Sequence, residues 1–433
     1  SMAENVELKW FSEGNIDVPD SRKVKNIGSL CSKPDDYYIP NEILLSLRIN
    51  LTTYTMDVSF SNEDSSFRSV DTLLNAIKQY SSLKNFTVQN IDLSALSIDW
   101  YQVNVENTVF LDCTFRSTDK SYLLDHGAII FPKVTHLPYQ PYRTRLYTWQ
   151  ELMKGYEPEL DQSKDWEIYR YFTQYKLNPP INEALYERIH DHAIDNALRD
   201  YIVIRDDGLT EKKCIGVMGG HGTPRTDPFY RKVTQTAKLL TEKGYIVASG
   251  GGPGIMEAAN LGAYFAFQPE AALEDALAML RVAPRYTDRD FIIQAQQVIE
   301  KYPQGQESLA IPTWFYGHEP SNLFASHIAK YFSNSIREDT LLAICLHGVI
   351  FAPGSAGTVQ EIFMDAAQNH YGSFNFLSPM VFLGKKWYEI ESMIYPLVKK
   401  LSFGKRYHEL LFLTDDPKRI AQFILNHPPV PNP

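Results

Sequence analysis

The sequence predicts an α/β protein with a Rossmann-like, doubly wound parallel sheet flanked by helices, preceded by an N-terminal α+β domain and a helical arm. Three turns rich in small residues predict the sheet, because each follows an apolar run and precedes a helical pattern: Gly219–Gly222, Gly250–Gly254 and Pro353–Thr358. A strand, a tight turn and a helix in repeated succession are typical of βαβ units.

The composition is that of a soluble globular protein of two or three domains. The chain has 433 residues, of which 44% are hydrophobic and 22% are charged. A formal net charge of -10 gives no reason to expect binding to nucleic acid or to a membrane. No signal peptide, bilayer-spanning run or internal repeat is evident, so we expect a cytoplasmic protein.

The cysteines and histidines predict no metal site. His190 and His192 lie two positions apart on a predicted helix, which puts them on different faces and favours a structural role. The four cysteines form no C-x-x-C pair and are expected to be reduced thiols: Cys31, Cys113, Cys214 and Cys345.

The N-terminal region, residues 1–135, reads as a small α+β domain without a catalytic constellation. Strands are predicted over Ile43–Phe60 and in short pieces over Phe86–Phe115, with a helix over Val70–Tyr80. Residues 136–200 follow as a linker and helical arm with three helices: Trp149–Tyr156, Trp166–Tyr175 and Asn182–Tyr201.

Residues 201–400 are predicted to form the sheet domain, with a helical insertion at 269–308 and a C-terminal tail at 401–433. The predicted strands are Cys214–Met218, Tyr245–Ala248, Gly348–Ala352 and Pro379–Leu383, with another strand expected within Leu309–Pro312 and Trp314–Tyr316. The predicted helices are Pro228–Lys243, Ile255–Phe267, Asn322–Ile336, Thr358–Asn369, Trp387–Leu401 and Pro417–Leu425.

The three turns lie at the carboxyl ends of predicted parallel strands, the edge at which open sheets bind ligands. Free N–H groups and the helix dipole make a helix N-terminus suitable for a phosphate. The chain has no P-loop, and neither glycine cluster fits the dinucleotide fingerprint. We therefore expect a nucleotide-like ligand with a phosphate.

Two stretches resemble the LOG family, the cytokinin-activating phosphoribohydrolases. Pro353–Glu361 reads P-G-S-A-G-T-V-Q-E and resembles the family signature P-G-G-x-G-T-x-x-E. Gly250–Met256 resembles the second signature, G-G-G-x-x-G-[LIM]-M, and Arg337 occupies the position of an upstream arginine. Ser355 replaces the second glycine, and Gly254 comes one place early.

The long N-terminal region and the W-F-Y-G-H-E-P stretch at Trp314–Pro320 resemble the large bacterial branch, whose members are nucleotide 5′-monophosphate nucleosidases. This resemblance implies hydrolysis of a nucleoside 5′-monophosphate to free base and ribose 5-phosphate, without a cofactor. It also implies a homo-oligomer, a dimer or tetramer, and allows a nucleotide effector such as an alarmone.

The resemblance assigns catalysis to Glu361, which stabilises positive charge on the ribose, and to Arg337, which neutralises phosphate or orients the carboxylate. The phosphate is expected on Gly357 and Thr358 and near Gly251 and Gly252. The full set of predicted substrate-binding residues is Gly219, Gly220, His221, Gly250, Gly251, Gly252, Glu257, Gly354, Ser355, Gly357 and Thr358.

Each role has a structural alternative. Glu361 and Glu257 suit the first turn of a helix, where the dipole favours an acid. Arg337 is also placed for a surface ion pair with Glu338 or Asp339, and His221 for filling a turn. Three other functions stay open: a non-catalytic nucleotide sensor, a cytokinin riboside 5′-monophosphate phosphoribohydrolase and a pyridoxal-phosphate decarboxylase. The decarboxylase is the least supported, because no pyridoxal-phosphate chemistry is visible.

Overall fold

The computed structural model describes residues 66–157, 162–205 and 207–432. The strands predicted over Ile43–Phe60 and the thiol of Cys31 lie outside the described residues. No helix in these described ranges is long and apolar enough to cross a membrane.

The N-terminal part of the described chain is a four-stranded parallel sheet in which consecutive strands are neighbours. Its strands are β1 Ser66–Phe67, β2 Thr87–Gln89, β3 Val109–Leu111 and β4 Ile129–Phe131. Helix α1, Val70–Tyr80, has the predicted bounds, because Ser69 caps its first turn. Helix α2, Ser117–Asp125, leads from β3 to β4.

Successive strands of this sheet follow one another at similar but unequal spacing along the chain. Ser66 pairs with Thr87, Thr87 with Val109, and Val109 with Ile129. Asn85 and Asn107 occupy equivalent turns with φ of 67° and 56°, and the Asn107 amide donates to Asn85 Oδ1 at 2.9 Å. Asparagine tolerates this left-handed conformation, which allows the chain to turn before β2 and before β3.

The arm contains three helices: α3 Trp149–Leu152, α4 Lys164–Thr173 and α5 Ile181–Ile202. His190 is fully buried and shares a 2.8 Å hydrogen bond with the Tyr147 hydroxyl. His192 pairs instead with Asn196 on the same helix. The structural interpretation of the two histidines therefore holds.

The central sheet has seven parallel strands in the order β12-β11-β9-β5-β6-β7-β8. Their bounds are β5 Cys214–Met218, β6 Ile246–Ser249, β7 Leu309–Ala310, β8 His327–Ile328, β9 Val349–Phe351, β11 Met380–Leu383 and β12 Leu411–Thr414. Strands β10 Phe376–Leu377 and β13 Val430–Pro431 form a separate antiparallel pair. The α/β fold predicted from the sequence is confirmed.

Helices cover both faces of this sheet. They are α6 Pro228–Thr241, α7 Ile255–Tyr264, α8 Glu270–Leu280, α9 Phe291–Lys301, α10 Asn334–Ile344, α11 Ala356–Tyr371, α12 Ile394–Leu401 and α13 Pro417–Asn426. In β9, Val349 and Phe351 pack into one hydrophobic core and Ile350 into the other. Burial on both faces explains why the predicted strands are continuous apolar runs.

The order of the strands places a switch point between β5 and β9. The chain runs outward from β5 through β6, β7 and β8, then returns to the other side of β5 to form β9. At such a point successive connections leave in opposite directions and open a crevice at the carboxyl ends of the strands. The turns after β5 and β9 border that crevice.

The helix predicted over Asn322–Ile336 is wrong. This segment contains β8, in which Ile328 pairs with Ala310 of β7, and helix α10 begins only at Asn334. The apolar residues of this segment have helix-like spacing, but they are buried because the segment pairs with β7 as the edge strand of the sheet. Tertiary pairing outweighs a local helical pattern of this kind.

The C-terminal region also differs from expectation. The single helix predicted over Trp387–Leu401 is a π-helical turn, Lys386–Glu391, followed by α12, with Met393 between them at φ 55°. A residue in the left-handed conformation interrupts an α-helix, and here that residue is not a glycine. Residues 401–433 supply β12 and α13, so the sheet continues beyond residue 400.

Candidate functional site

Backbone hydrogen bonds join the three predicted turns at one edge of the central sheet. The Gly220 amide donates to the Pro353 carbonyl at 3.0 Å, and the Ile255 amide donates to the Gly220 carbonyl at 3.1 Å. The turn after β5 therefore lies between the turns after β6 and β9. The structure brings together the segments that the sequence singles out.

Close approach of these turns explains two of their glycines. A side chain at Gly354 would overlap the hydroxyl of Thr358, and one at Gly254 would overlap the Gly220 carbonyl oxygen. Gly254 also has a φ of +69°, which L side chains rarely adopt. The turns pack backbone against backbone, so their N–H groups lie near any ligand at this edge.

Helix α11 begins at Ala356, two residues before the predicted start. Gly357 and Thr358 therefore belong to its first turn, where free N–H groups point outward along the axis. Ser355, at the N-cap position, is exposed and makes no side-chain capping bond. Apart from its chain neighbours and the backbone of its own helix, no described residue has an atom within 4 Å of a Cβ built on Gly357, so this helix end is open to a phosphate.

Glu361 faces inward from the second turn of α11. Its side chain is 15% exposed, and its Oε1 lies 3.5 Å from Nη1 of Arg337. Burial raises the pKa of Glu361 to about 7, while Arg337 opposes that rise and Glu338 adds to it. This carboxyl can change charge near neutral pH, which an exposed first-turn acid would not do.

Arg337 is buried on α10 between Glu361 and the turn after β6. Its Nη2 donates to Asn334 Oδ1 at 2.7 Å, and its Nη1 lies 4.0 Å from a Cβ built on Gly250. Its Nε is buried and has no hydrogen-bond partner among the described residues. With 8% of its side chain exposed, Arg337 is not a surface ion pair, and it keeps one unused buried donor.

A network around Glu338 links the site to the loop between β7 and β8. Glu338 Oε1 accepts hydrogen bonds from Asn334 at 2.7 Å and from the Tyr316 hydroxyl at 3.3 Å. Its Oε2 accepts from Gln360 of α11 at 2.7 Å. Sequence reasoning treated Glu338 only as a surface partner of Arg337. Its burial could not be read from the local pattern.

The same loop covers the turn after β6. The Glu319 carboxylate occupies the space that a side chain at Gly252 would fill, since a Cβ there would overlap Oε2. Gly252 and its neighbour Gly251 were expected to bind phosphate. A carboxylate above this turn repels an anion, so the open N-terminus of α11 is the better phosphate position.

Glu257 is held inside the protein. Its Oε2 accepts hydrogen bonds from Nε of Arg225 at 2.9 Å and from the Tyr230 hydroxyl at 2.8 Å. Arg225 also donates to the Ala283 carbonyl at 3.2 Å, which ties the insertion to the sheet domain. The expected contact between Glu257 and substrate is not supported, because the carboxylate is already neutralised by a buried cation.

His221 is exposed at the end of its turn. Its ring lies 6.0 Å from that of Tyr286, which belongs to the connection between α8 and α9. Two aromatic rings at the mouth of the crevice are a suitable surface for a planar base.

Among the described residues, no cluster of three or more His, Cys, Asp or Glu side chains has a geometry suited to a metal. The described cysteines, Cys113, Cys214 and Cys345, are buried free thiols.

Comparisons with known proteins bear on the class to which this fold belongs. A profile of the SLOG cluster4 family matches residues 212–266, which contain β5, β6 and the two turns that follow them. The SLOG superfamily includes LOG-type Rossmann-like proteins, so the match agrees with the resemblance at that broader level. No curated protein matches the chain.

The solved structures that are similar to this chain at low identity include the following two. One is the molybdenum cofactor binding protein from Rippkaea orientalis, with 16% identity over 50% of this chain and 97% of that protein, at a TM-score of 0.32. The other is the Moco carrier protein from Chlamydomonas reinhardtii, with 16% identity over 50% of this chain and all of that protein, at a TM-score of 0.32.

Proposed function

We propose that this protein is a nucleotide 5′-monophosphate nucleosidase of the LOG type. The observation that carries the proposal is the position of Glu361, a buried carboxyl beside Arg337, one turn inside a helix whose N-terminus is open. A phosphate on that N-terminus would direct an attached ribose toward the Glu361 carboxylate. The proposed products are a free base and ribose 5-phosphate.

In the proposed reaction the bond between C1′ and the base nitrogen breaks, and its electron pair leaves with the base. Positive charge then builds on C1′ and the ring oxygen, and ionised Glu361 stabilises it. A water oxygen bonds to C1′. Glu361 accepts one water proton, since its pKa of about 7 suits a base near neutral pH, and this proton is returned to the departing base.

Arg337 has two tasks in this scheme. It keeps Glu361 ionised, because it opposes the effect of burial on the pKa of that carboxyl. Its free Nε supplies a donor for a phosphate or hydroxyl oxygen of the substrate. The aromatic pair of His221 and Tyr286 is proposed to face the base.

The test is release of base from AMP, GMP, CMP, UMP and a cytokinin riboside 5′-monophosphate, with base and ribose 5-phosphate identified by chromatography. Glu361→Gln should fold normally and lower turnover by at least about 10²-fold. Glu270→Gln is the matched control, since Glu270 is exposed at the start of α8.

The outcomes separate the candidate functions. Near-wild-type turnover in Glu361→Gln would remove Glu361 as the catalytic group. Nucleotide binding without release of any base would instead favour the non-catalytic sensor. Preference for the cytokinin substrate would favour that narrower phosphoribohydrolase. The resemblance also supports a homo-oligomer and a nucleotide effector, which sedimentation with and without added nucleotides would test.

A further inference from the structure

The loop Trp314–Ser321, which leads from β7 toward β8, is fixed to the helical arm by one buried carboxylate. The Trp314 indole donates to Asp165 Oδ1 at 2.8 Å, and the Ser321 hydroxyl donates to Asp165 Oδ2 at 3.1 Å. Lys330 neutralises this carboxylate at 2.8 Å. Both ends of the loop are therefore held by the same side chain of α4.

The middle of the loop is held as well. The His318 ring stacks on Trp166 of α4, with centroids 4.1 Å apart and planes at 16°. On the other side, the Tyr316 hydroxyl donates to Glu338, whose neighbour is Arg337. His318 before Glu319 and Ser321 after it are both held, so the backbone that carries Glu319 is restrained, and such preorganisation is what a binding group requires.

Glu319 is an unpaired carboxylate in the described part of the chain. It is only partly buried, and among the described residues it makes no hydrogen bond or ion pair. Its carboxylate lies over Gly252, in the turn whose Gly250 approaches Arg337. An unpaired acceptor held at the carboxyl edge of the sheet points to a ligand that donates hydrogen bonds.

We infer that Glu319 binds the 2′- and 3′-hydroxyls of the ribose. This inference rests on the proposed function in one respect, that the ligand is a ribosyl phosphate. A carboxylate has two oxygens that can accept from neighbouring hydroxyls, whereas it repels phosphate. The phosphate then binds at Gly357, the diol binds at Glu319, and the sugar between them passes Glu361.

The inference makes Glu319 the residue that distinguishes ribose from 2-deoxyribose. A site built to accept from a hydroxyl discriminates against an analogue that lacks it, because the acceptor is left unpaired. A hydrogen bond to a charged group is worth about 1.5–3 kcal/mol, or roughly 10–100-fold in affinity.

The experiment measures binding of ribose 5-phosphate and 2-deoxyribose 5-phosphate by calorimetry to the full chain. We expect the wild-type protein to bind the ribose compound at least about 10-fold more tightly. Glu319→Gln should lose most of that preference, and Glu319→Asp should fall between. Glu270→Gln is again the control for the charge change.

An unchanged ratio of the two affinities in Glu319→Gln would overturn the inference. Tighter binding of both sugar phosphates by that variant is expected from the lost negative charge, so only the ratio tests the hydroxyl contact. Equal affinity, or no affinity, of the wild-type protein for the two sugar phosphates would also overturn it. A clear ribose preference without base release would sink the nucleosidase proposal and leave the assignment of Glu319 intact.

Discussion

The substitution Asp365→Asn should remove a large pH dependence of stability. Asp365 lies on α11 one turn beyond Glu361, and its Oδ2 is buried with no hydrogen-bond partner in the described ranges. Its Oδ1 has a long contact, 3.4 Å, with the Asn369 amide. Burial therefore raises the pKa of Asp365 from 3.8 to about 8.

The direction of the pKa shift determines whether the protein becomes more or less stable as pH rises. Between pH 4 and pH 8 the folded protein keeps a proton on Asp365 that the unfolded chain releases. The free energy of unfolding consequently falls as pH rises, by up to about 1.4 kcal/mol per pH unit from this group. The raised pKa spans about four units, so the total loss by pH 8 is roughly 5 kcal/mol.

The assay is chemical denaturation of the wild-type protein and Asp365→Asn at pH 5, 6, 7 and 8. The asparagine does not titrate, so the difference in unfolding free energy should shift by about 4 kcal/mol in favour of the variant across that range. Asp339→Asn, an exposed change on α10, is the control. If the two stability curves run parallel, Asp365 does not hold a proton and the reasoning fails.

Two further predictions concern buried charges. Arg225→Met should lower the free energy of unfolding by about 3–5 kcal/mol, because it leaves Glu257 buried without its cation. Adding Glu257→Gln should restore part of the loss, and the pairing is contradicted if the effects of the two substitutions on the free energy of unfolding simply add. Arg337→Gln should move the rising limb of the pH–rate profile above about pH 7, because Arg337 favours ionised Glu361; an unmoved limb would show that it does not.

The main features of the sheet could be predicted from sequence because their signals are local. Apolar runs, small-residue turns and capped helices each depend on neighbouring residues, so Cys214–Met218 was predicted with its observed bounds. Edge strands of two residues, such as His327–Ile328, have no period to detect. Their pairing partner decides their structure, and the partner lies elsewhere in the chain.

In the site, too, local features could be predicted from the sequence and long-range contacts could not. Gly354, Thr358 and Glu361 fall within one short stretch, so their grouping was visible in the sequence. Glu319 was not assigned a role, because nothing in its own segment shows that the segment folds over Gly252. The commitment of Glu257 to Arg225 was also hidden, since the two are 32 positions apart.

The two sheets can form at different stages of protein synthesis. Each strand of the N-terminal sheet pairs with the next strand along the chain, so this sheet can form while later residues are still being synthesised. The central sheet cannot, because Gly216 must wait for Val349 and the edge strand β12 arrives only with residues 411–414. Until then β11 presents an open, apolar edge, the kind of surface that associates with other chains. We therefore expect chaperones to bind this protein late in its synthesis, and we expect a chain truncated before β12 to be insoluble.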